Sequence, residues 1–177
     1  DFLENVYLSP NMKNYTLPTN NRNASSGYKT LSFGSKVNLS NDEGKILRFF
    51  THWKNGVDRV DIDLSLELYD DNFCYVNTVG WHNMTGGKKF DTYHSADIVT
   101  APDGASEFVD LNYMQARKFA RYAVVCNAVY TGQDFKDINE CFSGGMVRKN
   151  LGKDGEVFEA RAVKTKFDLT QSGSNLN

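Results

Sequence analysis

Asp61 and Asp63 stand two residues apart within residues 59–69 (RVDIDLSLELY). In an extended strand alternate side chains share a face, which puts these two carboxylates roughly 6–7 Å apart. Asp is depleted in strand interiors, and like charges on one face repel, so something must offset them. One offset is solvent together with Arg59 on the same face. The other is a bound hard cation. Calcium takes about six to eight oxygen ligands from carboxylates, carbonyls and water, more than one strand can offer, so a loop has to contribute. Residues 93–110 (YHSADIVTAPDGASEFVD) are the candidate loop, with Asp97, Asp103, Glu107 and Asp110. Pro102-Asp103-Gly104 is a turn signature that exposes backbone carbonyls. His94 opens the loop, where its ring can donate to a carboxylate or its carbonyl can face an ion. Against all of this stands the plain reading of a solvated acidic surface.

Other chemistries find less support. His52, His82 and His94 show no zinc spacing with one another or with cysteine. No nucleophile elbow or cysteine-protease signature occurs, although a triad can assemble from distant residues. Paired carboxylates can hydrolyse glycosides, but here their positions suit a cation better. Gly86-Gly87 and Gly144-Gly145 lack the flanks of a phosphate loop and read as turns or bulges, and Lys88-Lys89 as a solvated turn. Trp53, Trp81, Tyr69, Tyr75 and Tyr93 are numerous enough for a sugar platform, yet at period-two positions they suit packing. Arg148, Lys149, Lys153, Arg161, Lys164 and Lys166 read as ordinary basic surface. Acceptor triplets for N-glycosylation start at Asn14, Asn23, Asn38 and Asn83 in an Asn-rich chain, and carry little information alone.

The elements that must position the carboxylates follow a period of two. Val60, Ile62, Leu64, Leu66 and Leu68 face one way, and Arg59, Asp61, Asp63, Ser65, Glu67 and Tyr69 the other, as in a half-buried strand. Asp70-Asp71-Asn72 makes a turn, and residues 73–79 return as a hairpin partner. Residues 45–54, 106–112, 119–131 and 158–169 are further strands, and 113–118 (YMQARK) a single helical turn. Many strands joined by short turns predict an all-β fold, a β-sandwich of two mainly antiparallel sheets. At 177 residues with 40% hydrophobic content, one domain with a real core is expected. That domain spans 29–170, between an irregular Asn- and Ser-rich arm at 1–28 and a tail at 171–177.

A net charge of −2 gives no global pull toward nucleic acid. No run of about 18 apolar residues is present to span a membrane. The three cysteines, Cys74, Cys126 and Cys141, are too few for a disulfide framework. Cys74 and Cys126 read as small buried hydrophobes, and a reducing compartment fits. A start at Asp1 is compatible with a processed form or a piece of a longer protein.

Residues 60–65 (VDIDLS) resemble the strand motif of TerD domains, the tellurium-resistance and stress-response family. His94-Ser95-Ala96-Asp97, followed by Glu107-Phe108-Val109-Asp110-Leu111, resembles that family's later acidic loop and next strand. Gly132-Gln133 to Phe135, Met146-Val147-Arg148 and Phe167-Asp168-Leu169 resemble its closing part, in the right order over roughly residues 30–170. The resemblance implies a β-sandwich with one or two Ca2+ ions at one edge, in a cytoplasmic bacterial protein that works by interaction rather than catalysis. Carried over by position, it implies Asp61, Asp63, Asp97 and Glu107 as ligands, Asp103 as a further one, and Arg59, His94 and Asp110 as supports. The family loop has Gly after the Ser and more acidic residues before its Glu. Here Ala96, Ile98 and Ala105-Ser106 stand instead, which implies weaker binding or fewer ions. The function implied is a calcium sensor or scaffold with a protein partner. A calcium-dependent lipid- or carbohydrate-binding sandwich, or an accessory domain of a larger enzyme, are the other readings that remain open.

Overall fold

Period-two alternation becomes two stacked antiparallel sheets. The computed structural model describes residues 45–152, 157, 163–170 and 175–176. The expected arm at 1–28 lies outside them, as does the tail apart from 175–176. In chain order the strands are β1 (Ile46–Lys54), β2 (Asp61–Tyr69), β3 (Tyr75–Val79), β4 (Thr92–His94) and β5 (Ala105–Asn112). A helical turn α1 (Tyr113–Ala116) leads to β6 (Tyr122–Thr131), followed by β7 (Glu140–Arg148), β8 (Val163–Asp168) and β9 (Asn175–Leu176). One sheet has the order β4-β5-β1-β7-β8 and the other β3-β2-β6-β9. The fold is all-β, as expected. No helix among the described residues is long and apolar enough to cross a membrane.

The core lies between the sheets. Ile62, Leu64, Leu66 and Leu68 on the inner face of β2 are at most 1% exposed, and each contributes about 1.5–3 kcal/mol by leaving water. Leu64, Leu66 and Leu68 pack with Val109 and Leu111 of β5, and Ile62 with Trp53 of β1. The Trp53 indole donates to the Val60 carbonyl at 3.1 Å, anchoring the approach to β2.

Three expectations need correction. Gly144-Gly145, read as a turn or bulge, is no turn but the middle of β7, opposite Phe50 and Phe49 of β1, and the pairing with β8 shifts register just after Gly145, as at a bulge. A Cβ on Gly144 would stand 2.5 Å from the Thr165 carbonyl oxygen and 2.7 Å from Phe50 Cζ, so the pair admits Phe50 beside β8. Cys74 is exposed rather than buried, because it precedes the first residue of β3 and belongs to the hairpin turn, where Asp70 Oδ1 accepts its N–H.

The third concerns Asp110, expected to support the metal ligands. Strand alternation turns it to the face of β5 opposite Glu107, Val109 and Leu111. There it forms a fully buried two-pronged pair with Arg48, Nε to Oδ1 at 2.6 Å and Nη2 to Oδ2 at 2.8 Å. The guanidinium lies 3.6 Å over the Phe108 ring and donates to the carbonyls of Gly152 and Val157. Asp110→Asn leaves the Arg48 charge uncompensated in the interior. It is expected to cost about 3–5 kcal/mol in urea unfolding, with much of the loss recovered by adding Arg48→Met. An unchanged midpoint in the single variant would refute this role.

Candidate metal centre

β3 pairs with β2 only from Leu66 to Tyr69. Among the described residues, the first half of β2, which carries both aspartates, therefore has a strand neighbour on one side only, β6. A buried peptide group without a strand partner must find another, and Leu64 finds two side chains. Its N–H donates to Glu107 Oε2 at 3.2 Å, and its carbonyl accepts from His94 Nε2 at 3.0 Å. His94 and Glu107 are both buried, 3.7 Å apart. A carbonyl can only accept, so His94 carries its proton on Nε2. Burial lowers its pKa, with the Leu64 carbonyl and Asp97 opposing. Its ring thus holds the backbone of β2 rather than hydrogen-bonding a carboxylate.

Two loops meet at this end of the sandwich. Asn55 Oδ1 accepts from the N–H groups of Val60 and Ala101, and Asn55 Nδ2 donates to Thr100. This stitches the β1–β2 connection to the β4–β5 loop. Arg59 joins them again, donating to the Val99 carbonyl at 2.8 Å and to Asp61 Oδ2 at 3.3 Å.

The result is a convergence of Asp61, Asp63 and Asp97, one carboxylate oxygen from each lying within 4.8 Å of the others. Asp61 is buried, Asp63 half-buried and Asp97 exposed, so the group opens to solvent on the loop side. Burial raises the Asp61 pKa, the Arg59 hydrogen bond and charge oppose this, and Asp97 adds to it. Burial also raises that of Asp63, with Asp61 and Asp97 adding to the shift. Burial, joined by Asp63 and Asp97, raises Glu107 to about 8 against the two backbone N–H groups whose hydrogen bonds it accepts. The Asp97 charge thus adds to the upward shift of all three, and Arg59 offsets part of it at Asp61.

Of the expected ligands, Asp61, Asp63 and Asp97 come together. Glu107 lies beside them with both oxygens engaged by backbone. Asp103 is exposed and outside the group; its turn packs toward β1, with the Gly104 Cβ position 3.3 Å from His52 Cε1. Arg59 and His94 support the group, and Asp110 does not. Three carboxylates are a hard-oxygen donor set of the kind that could hold a divalent cation such as calcium, which would need further oxygen ligands.

A second row of polar groups crosses the opposite face of β5, β1 and β7. Ser106 Oγ is 2.8 Å from His52 Nδ1, and Glu140 Oε1 is 3.8 Å from His52 Nε2. The latter distance is too long for a hydrogen bond, so Glu140 does not fix the ring as a triad acid must. At the one acceptor triplet among the described residues, Asn83 Nδ2 already donates to the Thr78 carbonyl at 2.8 Å. Asn14, Asn23 and Asn38 lie outside those residues, as do Lys153 and Arg161 of the basic stretch.

Comparison with protein-family models and with curated proteins finds no match to this chain. The TerD resemblance accordingly rests on the sequence motifs alone.

Proposed function

We propose that this domain binds a calcium-like divalent cation through Asp61, Asp63 and Asp97, and acts as a non-catalytic sensor or docking module. The observation that carries the reading is the convergence of the three carboxylates from two separate chain segments. The raised pKa values of Asp61 and Asp63 support it: burial raises both, and at Asp63 repulsion from Asp61 and Asp97, which a cation would relieve, adds to the shift. In this reading the ion neutralises the group and stiffens the loop at 95–104, which presents a surface to a protein partner. The TerD-like motifs point the same way, toward a cytoplasmic stress-response module.

Titration calorimetry of chelator-treated protein tests it. Calcium should give a saturable heat, and Asp61→Asn combined with Asp63→Asn should remove it. Absence of any calcium heat in the wild-type protein at millimolar ion would sink the reading.

A further inference from the structure

We infer that Glu107 is a positioning residue of this carboxylate group rather than one of its ligands: its side chain clasps the two backbone segments that carry Asp63 and Asp97. The functional consequence rests on the cation reading above; the clasp itself does not. Glu107 Oε2 accepts the N–H of Leu64 at 3.2 Å, and Oε1 accepts the N–H of Ile98 at 2.8 Å. Leu64 follows Asp63 and Ile98 follows Asp97 directly in the chain. One carboxylate thus ties β2 to the β4–β5 loop at the two places where the outward-facing acids leave the backbone.

The clasp is built from the interior. Glu107 shares the inner face of β5 with Val109 and Leu111 and is only 1% exposed. A carboxylate so placed is fixed by packing and has little freedom to turn toward an ion. His94 reinforces it by holding the Leu64 carbonyl while Glu107 holds the Leu64 N–H. Asn55 holds the same loop three residues further on, at Ala101. With the Ser95 N–H donating to the Phe108 carbonyl at 2.9 Å, the loop segment bearing Asp97 is pinned before and after it.

Fixing ligands that come from distant parts of the chain lowers the ordering cost of binding. Groups that orient metal ligands typically change metal affinity about 10–100-fold when removed. Glu107→Gln keeps the shape but offers one acceptor oxygen for two N–H donors. It should weaken calcium binding at least about tenfold on that scale.

Amide hydrogen exchange separates a clasp from a ligand. In calcium-free protein, Glu107→Gln should speed exchange at Leu64, Ile98 or both, whereas Asp63→Asn should weaken calcium binding and leave those amides slow. If Glu107→Gln weakens calcium binding with both amides unchanged in the metal-free state, Glu107 is a ligand and the clasp is wrong. If the wild-type protein binds no calcium yet the amides of the variant loosen, the clasp stands and the cation reading falls. Should Glu107→Gln not fold, wild-type exchange decides, because fast exchange at Leu64 and Ile98 in metal-free protein overturns the clasp and slow exchange upholds it.

Discussion

Saturating calcium is expected to raise the thermal midpoint of the wild-type domain and to leave Asp63→Asn almost unmoved, while without calcium the variant should be the equal of wild type or better. The first part is mass action. An ion at about a hundred times its dissociation constant stabilises the folded state by about 2.7 kcal/mol. For a chain of this size that corresponds to a rise of about 5–10 °C. The second part follows from the geometry. Burial together with Asp61 and Asp97 raises the Asp63 pKa, so ionised Asp63 burdens the metal-free fold. Its carboxylate receives no hydrogen bond among those seen in the described residues, so an amide loses little there. One substitution should therefore change sign with one ion. A solvated acidic surface predicts no such reversal, since exposed like charges interact weakly and salt screens them. Melting curves in calcium, in magnesium and in chelator would settle it. Equal midpoints for the wild-type protein in calcium and in chelator would dispose of the site.

How much of this could be read from the chain depended on range. The alternation Val60 to Leu68 specified β2, its buried face and the outward aspartates, because strand period and hydrophobic burial act locally. Asp97 was reachable through its loop and motif. The split between Glu107 and Asp110 was not, although they sit three residues apart on one strand. Their parity shows that they face opposite ways, but not which face meets β2. That is decided by β1, which sets Arg48 opposite Asp110. β7 was missed because its glycine pair looks like a turn until Phe50 is known to lie across it. The clasp was equally hidden, because it exists only where β3 ends opposite Leu66 and, among the described residues, leaves Leu64 without a strand partner on that side. The end of β3 at Val79 was read from the chain, but not which side chains take over the backbone of β2 beyond it.

The same clasp predicts a pH dependence whose sign is unusual for a carboxylate. Glu107 is raised from the ordinary 4.5 to about 8, first by burial and further by Asp63 and Asp97. The folded state therefore holds this proton more tightly than the unfolded chain. Below about pH 4.5 both states are protonated and the contribution to stability is complete. Between 4.5 and 8 the unfolded chain ionises while the folded one does not, and stability falls as pH rises through that window. At about 1.4 kcal/mol for each pH unit the loss is at most roughly 5 kcal/mol. Glu107→Gln has no proton to lose. In calcium-free protein at low pH it should be less stable than wild type by about 1–3 kcal/mol, because one buried N–H loses its acceptor. Toward pH 8.5 the deficit should shrink or reverse. Calcium next to Asp63 and Asp97 favours ionised Glu107, so calcium should bind more tightly as pH rises through the same window and should flatten the wild-type slope. Urea unfolding of both proteins from pH 4.5 to 8.5, in chelator and in calcium, reads all of this. Parallel pH profiles for wild type and variant in chelator would show that Glu107 is ionised throughout, and that its two N–H donors outweigh its burial.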